Sequence, residues 1–464
     1  MAGVTVSSPT LQADGEATQR KREEMLTQPI GPLILRLGAP SVIANIVTTI
    51  YNLADSFFIG QISTAAEGAV GVAFFVMTLI QGIGFYFGQG TGNALGRYLG
   101  KDERKQAQRM ATAGLALSFG FGVILAVVGT ILLEPICRLA GATETILPHA
   151  KAYMSLILIG APWMAASLTA NFQLRMEGES FWSMVALVTG AVLDFLLDPI
   201  FIFVLHMDIA GAALATIICE LISFLMIVIS SQKLGVAPYD FRLLKIDGDL
   251  LREINNGGLP SLARQMVSGV ATVALNHAAK PFGDAAIAAM AIVSRVSSVG
   301  NYVQIGIGQG FQSLCGYNYG AGRGDRVRKG YFFAVRACMI AVAAVSAVVF
   351  VFAPQIAAAM RNDPEVVVIA TVALRFQAVT LPITGIAMIT NFMLQTTGRM
   401  WRALFLGLAR LGIVLAPMVT LLPLVFGLLG VEMAQSAADV VTVCIAVPMA
   451  RIALRELSVV QPVE

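Results

Sequence analysis

The sequence predicts an all-α membrane protein whose twelve transmembrane helices form two six-helix lobes related by pseudo-two-fold symmetry. Composition is the first reason: 57% of the 464 residues are hydrophobic, 13% are charged, and the mean hydropathy is +0.77, outside the range of soluble domains. Length is the second: twelve apolar segments reach the roughly 20 residues that a bilayer crossing needs. An internal repeat is the third. Gly38-Ala39-Pro40-Ser41 returns as Gly258-Leu259-Pro260-Ser261, Gly88-Gln89-Gly90 as Gly308-Gln309-Gly310, and Asn171-Phe172 as Asn391-Phe392, always 220 positions on. Gly96, Gly100, Pro162 and Gly178 return as Gly316, Gly320, Pro382 and Gly398 in the same register. Barrel strands would alternate in polarity at every residue and run for only about 10 residues. Two similar membrane-embedded halves can hold a site between them and rock against each other, which makes a transporter the default reading.

Residues 1–36 are polar, with a mixed-charge run from Gln19 to Glu24, and lack the apolar core and cleavage site of a signal peptide. They read as a cytoplasmic tail with an interfacial helix near Met25 to Leu35. Residues 37–231 form the first lobe, with spans centred near residues 48, 80, 121, 161, 193 and 219. Residues 232–257 are a polar linker. Residues 258–450 form the second lobe, with spans near 268, 298, 342, 380, 414 and 440, and residues 451–464 are a cytoplasmic tail. The glycines from 82 to 100 and from 306 to 324 serve close packing and turns; no G-x-x-x-x-G-K-[ST] phosphate loop occurs.

Charge sets the topology. Arg97, Lys101, Arg104, Lys105 and Arg109 fall on one side, followed by Arg175, then Lys233, Arg242, Lys245 and Arg252. The same side receives Arg323, Arg326, Arg328, Lys329, Arg399 and Arg402, besides Arg20, Lys21, Arg22 and Arg36 at the start and Arg451 and Arg455 at the end. The alternate loops carry Arg138 and Arg361. The positive-inside rule then puts both termini in the cytoplasm, and six spans per half make the halves parallel repeats. The net charge of +3 follows from this topology and points to no nucleic acid.

Charges inside spans are costly and are functional candidates by default. The first half holds Asp55 on span 1, Asp194 and Asp198 one turn apart on one face of span 5, and Glu220 on span 6 one turn after Thr216. Three helices thus bring oxygen ligands to similar depth, and Pro199 adds a kink that can free a carbonyl nearby. Hard oxygens suit a bare cation such as Na⁺, while clustered carboxylates can hold a proton, so the coupling ion is either. Glu220 either lines a cavity or pairs structurally.

The second half differs: Arg264, Arg295, Arg336, Arg375 and Arg410 lie within spans, with acids only at Glu432 and Asp439. Arg264, Arg336 and Arg410 are expected to snorkel from the cytoplasmic ends. Arg295 and Arg375, deeper, are expected to pair with Asp439; the functional alternative is recognition of an anionic group. The five cysteines, Cys137, Cys219, Cys315, Cys338 and Cys444, show no metal or disulfide spacing and read as packing thiols. His149, His206 and His277 read as interfacial polar residues. The 20 methionines suit a pliable cavity and ordinary packing equally.

The duplicated Gly-x-Pro entry, Tyr51-Asn52-Leu53-Ala54-Asp55, Leu197-Asp198-Pro199-Ile200, Gly88-Gln89-Gly90 and the Gly316 to Lys329 loop resemble the MATE (multidrug and toxic compound extrusion) family. The similarity covers residues 28 to 455 and is nearest to the DinF/MepA-like prokaryotic branch. It implies a V-shaped pair of lobes in the inner membrane of a prokaryote that exports amphipathic, often cationic compounds in exchange for H⁺ or Na⁺. The coupling-cation positions it implies are Asp55, Asp194, Asp198 and Thr216, with Asp194 standing where that branch carries Asn. Asn171 matches a polar substrate-cavity position, and Asn52, Thr48 and Glu220 complete the expected cavity. A different branch carries an acid on span 7 near Ser268, so coupling through the second lobe is not expected.

The leading expectation is therefore a cation-coupled antiporter, with the bilayer, small organic substrates and the coupling ion as partners, no further cofactor, and a monomeric state. The alternatives are a lipid-linked precursor flippase, in which Arg295 and Arg375 would bind pyrophosphate, or an exporter of an anionic metabolite. An enzyme is not expected, because no acid–base pair, nucleophile constellation or metal spacing is present.

Overall fold

The computed structural model describes residues 9–457, with backbone alone for residues 9–17, 52–54, 56, 57 and 272. Among the described residues every regular element is a helix. Helix α1 (Pro9–Thr27) precedes α2 (Ile30–Gly60), α3 (Thr64–Gly100), α4 (Arg104–Ile131), a short α5 (Leu133–Leu139), α6 (Leu147–Met176), α7 (Ser180–Pro199) and α8 (Asp208–Leu234). The second half runs through α9 (Gly248–Ala279), α10 (Asp284–Gly320), α11 (Gly324–Met360), α12 (Pro364–Thr396), α13 (Met400–Leu408), α14 (Leu415–Phe426) and α15 (Leu428–Leu457). A π turn, Ile200–Val204, extends α7, and a second π turn, Ala409–Val414, joins α13 to α14 as one span. Eleven helical segments are long and apolar enough to cross a membrane. Helix α9 is the twelfth, 32 residues long but polar over its first turns.

Three element boundaries differ from expectation. The N-terminal helix is α1, not a segment at Met25 to Leu35, because Pro29 cannot continue a helix and instead caps a new one at Ile30. Helix α9 starts before its apolar run because the Asp247 side chain accepts from Leu250 N at 2.9 Å, so the chain between α8 and α9 spans only residues 235–247. Helix α15 runs on to Leu457. Capping and backbone hydrogen bonds carry helices past the apolar run that marks the bilayer.

The repeat reappears as reciprocal contact. Gly100 packs on the Tyr317 carbonyl and Gly320 on the Arg97 carbonyl; Gly90 packs on Ile254 O and Gly310 on Ile34 O. Each pair maps onto the other by 220 positions, and Gly96 and Gly316 meet each other between them. A Cβ at any of the first four would strike backbone, so the helices cross at a distance only glycine permits.

The buried cores show the overall shape. One cluster draws on both halves, joining Leu33, Leu95 and Leu174 to Phe311, Leu314 and Tyr317. At the other end the halves separate: one core holds Ile59, Tyr153, Ile157 and Ile209, the other Leu275, Met290, Leu374 and Val431. The lobes thus meet at the end that carries the termini and part towards the opposite end, a V.

Polar contacts lock the closed end. Arg97 pairs with Glu253 and donates to the Thr396 carbonyl at 2.6 Å. Arg175 donates to Gln309 Oε1 at 2.6 Å, Ser313 Oγ to the Arg175 carbonyl at 2.8 Å, and Thr396 Oγ1 to Asn93 Oδ1 at 2.9 Å. Helix α1 straps both lobes from outside. Lys21 pairs with Glu179 at 2.9 Å, and Arg22 donates to the Gly100 carbonyl at 3.1 Å. From the other lobe Asn318, Arg323 and Arg326 donate to the carbonyls of Met25, Leu26 and Gln28.

Glu177 sits fully buried in this junction, just past α6. Val236 N donates to its Oε2 at 2.8 Å, while Oε1 has no partner. Burial pushes its carboxyl up from 4.5 to about 8, against the opposing effect of backbone donors. A raised folded value means that the stability Glu177 contributes is complete below the unfolded value and is lost as pH rises through the folded one. The thermal stability of the purified protein should therefore fall as pH rises from about 4.5 to about 8, and Glu177→Gln should flatten that dependence. A slope unchanged in the variant would remove Glu177 from this role.

Candidate functional site

Helix α7 runs beside α2 and α8, and the spacing of Asp194 and Asp198 puts both carboxyls on its inward face, each buried. Asp55 on α2 meets Asp198, their carboxyls within hydrogen-bond reach of one another. Asp194, a turn earlier, instead contacts the Cys219 thiol on α8. It opens onto a narrow cleft lined also by Thr48, Tyr51, Thr216, Cys219 and Glu220. Thr216 Oγ1 donates to the Ala212 carbonyl at 3.1 Å, which leaves its lone pairs for an acceptor role in the cleft.

Asp55, Asp194 and Asp198 each keep one buried Oδ1 without a donor. A buried carboxylate oxygen without a partner is expensive, and two facing carboxyls cannot both stay ionised unless a cation stands between them. The arrangement can therefore take up a proton or a small hard cation. The expected ligands do not close into one shell: among the described residues no three Asp, Glu, His or Cys side chains converge to hold a metal ion. Asp55 and Asp198 form one pair, and Asp194 with Thr216 lines the adjoining cleft.

Of the expected cavity residues, Thr48 and Glu220 line that cleft. The Asn52 side chain lies outside the described residues. Asn171 does not line this cleft, and its buried Oδ1 has no partner among the described residues. It is buried at the junction of α6 and α7, where Nδ2 donates to the Ser183 carbonyl at 3.2 Å. Its repeat mate Asn391 donates to the Ala403 carbonyl at 2.7 Å, the same contact 220 positions on. The shared Nδ2 contact ties adjacent helices in both lobes, while only Asn391 Oδ1 has a donor, from Gln395.

Tyr51 and Cys219 line the cleft without having been predicted. Helical spacing held the signal, since Tyr51 precedes Asp55 by four residues and Cys219 follows Thr216 by three. Cys219 was expected only as a packing thiol.

The second lobe fills the equivalent place differently. Arg410 stands 220 positions after Gly190 and Asp439 the same distance after Cys219, both of which line the first lobe's cleft. Arg410 Nε donates to Asp439 Oδ1 at 2.8 Å, Gln377 Nε2 to Oδ2 at 2.7 Å, and Arg410 Nη1 to Asn301 Oδ1 at 3.4 Å. Arg410 therefore does not snorkel, and it takes the partner expected for Arg295 and Arg375. Its place in the π turn presents it to α15, whereas Arg295 is exposed and Arg375 lies over the Phe350 ring.

The MatE family pattern matches residues 40–200 and 260–420, one copy per lobe. A FAD transporter of Shewanella oneidensis is 27% identical over 428 residues, covering 89% of this chain and 93% of its own. The multidrug export protein MepA of Staphylococcus haemolyticus is 25% identical over 413 residues, covering 89% and 90%. Among solved structures, the outward-facing conformation of a multidrug resistance MATE family transporter of the MOP superfamily superposes with a TM-score of 0.89. The two are 26% identical over 94% of this chain and 98% of the other. A MOP superfamily transporter from Pyrococcus furiosus, described as having a binding pocket of reverse polarity, matches with a TM-score of 0.88 at 26% identity over the same shares.

The Asn171 assignment can be tested directly. Asn171→Ala and Asn391→Ala should each lose about 1–3 kcal/mol by leaving a buried carbonyl unpaired, seen as matched drops in thermal stability with substrate affinity retained. An Asn171→Ala variant of full stability and weakened substrate binding would return Asn171 to the cavity.

Proposed function

The chain belongs to the MatE family, a family of transporters rather than enzymes, and from that premise we propose that it is a cation-coupled multidrug antiporter. The observation that carries the coupling is the buried Asp55–Asp198 pair beside the Asp194 and Thr216 cleft, with three carboxylate oxygens left without donors. H⁺ or Na⁺ is the coupling ion. The substrates are amphipathic organic compounds, often cationic, as the relative named for multidrug export suggests.

The basic loops put the closed end and both termini in the cytoplasm of a prokaryotic cell, with the protein a monomer in its inner membrane. The V then faces outward, the conformation named for one of the similar solved structures. A cation between Asp55 and Asp198 relieves their repulsion, draws α2 towards α7 and reshapes the cleft that Thr48, Tyr51 and Glu220 line. Substrate leaves because the cation-loaded arrangement binds it less well; a ligand moves a conformational equilibrium only through such a difference in affinity. Return to the opposite state requires the contacts at the closed end to part and the tips of the lobes to meet.

The test is efflux of a fluorescent organic cation from membrane vesicles under pH and Na⁺ gradients imposed separately. Asp55→Asn and Asp198→Asn should each slow gradient-driven efflux by about tenfold or more, the effect of some 1.4 kcal/mol, with the protein still in the membrane. Undiminished efflux in both variants would sink the mechanism. Whichever gradient drives the parent protein identifies the ion.

A further inference from the structure

Among the described residues, the half-buried cation Arg264 of the second lobe has no acidic partner. Arg264 lies on α9 where that helix passes α3, a level marked by the Gln265 to Gln81 hydrogen bond between the lobes at 3.2 Å. Its guanidinium lies over the Phe392 ring, 5.7 Å from the centroid, and Nη1 is buried without a hydrogen-bond partner. Among the described residues it enters no ion pair, and the nearby acid Asp439 is held by Arg410 and Gln377. Partly withdrawing a charge from water without a partner carries a cost, which a ligand supplying the counter-charge relieves.

The repeat says where this cation points. Arg264 stands one turn before Ser268, whose first-lobe mate Thr48 lines the cleft. Its Cβ is a neighbour of Gly407, whose mate Leu187 lines that cleft as well. Arg264, whose own first-lobe mate is Ala44, thus stands beside the second lobe's version of the same site, which Arg410 fills. Acids furnish the site in the first lobe and guanidinium groups in the second. A planar guanidinium held against an aromatic face presents its remaining N–H groups in a fork that matches an oxyanion.

We propose that Arg264 binds an oxyanion, the carboxylate or phosphate of a transported organic substrate, so that the protein takes zwitterionic and anionic compounds as well as cations. This rests on the transport function proposed above and adds the substrate class of its second wall. Phe392 supplies the apolar platform, and Asp439, held by Arg410 and Gln377, does not compete for Arg264.

The test compares three fluorescent probes in proteoliposomes: a rhodamine with a free carboxylate, its methyl ester, and a fluorescent phosphate monoester. Arg264→Gln should weaken the affinity of the carboxylate or the phosphate probe by about tenfold or more, as expected for a lost charge-assisted bond, and leave that of the ester within about twofold. Arg264→Lys should restore part of the loss. Whichever oxyanion responds identifies the group. The Gln variant should also match or exceed the parent's thermal stability, because it removes a half-buried charge that has no acidic partner. Equal effects on acid and ester, no effect on either oxyanion probe, or a destabilised Gln variant that loses all probes together would each overturn the site. Failure of the parent to move even the ester under any gradient would instead reject the transport function itself.

Discussion

Where α3 passes α10, backbone lies against backbone, and the rest of the structure depends on that approach. Gly96 and Gly316 meet between the lobes, flanked by Gly100 on the Tyr317 carbonyl and Gly320 on the Arg97 carbonyl. In a bilayer the hydrophobic effect gives helices little reason to associate, so close packing must supply the attraction. Glycine at the crossing brings the helices near enough for Arg97, Asn93, Gln309 and Ser313 to find partners across the seam. Such a crossing can pivot: it fixes the lobes at one end while leaving two separate cores free to part at the other.

Duplication also explains the division of labour between the lobes. Two copies of one fold present two copies of one cleft, and the copies have diverged in charge at matching positions. In the first lobe Gly190 and Cys219 leave room beside Asp194; in the second Arg410 and Asp439 fill that room with an ion pair. A charged pair held inside the lobe needs its further hydrogen bonds to Gln377 and Asn301. Among the described residues, the first lobe leaves buried oxygens of Asp55, Asp194 and Asp198 without partners, and the second leaves Arg264 Nη1 so, besides hydroxyl and amide atoms in both.

The strap formed by α1 links these features to the closed state. It reaches Glu179 and Gly100 in one lobe and is held by Asn318, Arg323 and Arg326 of the other. Its Met25 is completely buried and lies against Gly178, whose positive φ ends α6, as that of Gly398 ends α12. Glu177 is enclosed beside it, so the charge state of one carboxyl bears on the packing of the whole junction.

The sequence by itself determined the twelve spans, their pairing by 220 positions, and the faces on which Asp194, Asp198, Thr216 and Glu220 lie. Those properties follow from bilayer thickness and helical periodicity, both of which act along the chain. Only the tertiary structure decided what each face meets. Asn171 shares its depth and polarity with a cavity residue, yet the packing of α6 on α7 turns it to the Ser183 carbonyl. Arg410 rather than Arg295 or Arg375 reaches Asp439 because a π turn sets its direction, and no residue pattern in α13 announced that turn. The acids of the first lobe, legible as a group, divide into a facing pair and a cleft-lining member because α2 and α8 flank α7 on different sides. Periodicity gives each helix its inward face, but lateral order and rotation come from contacts between helices distant in sequence.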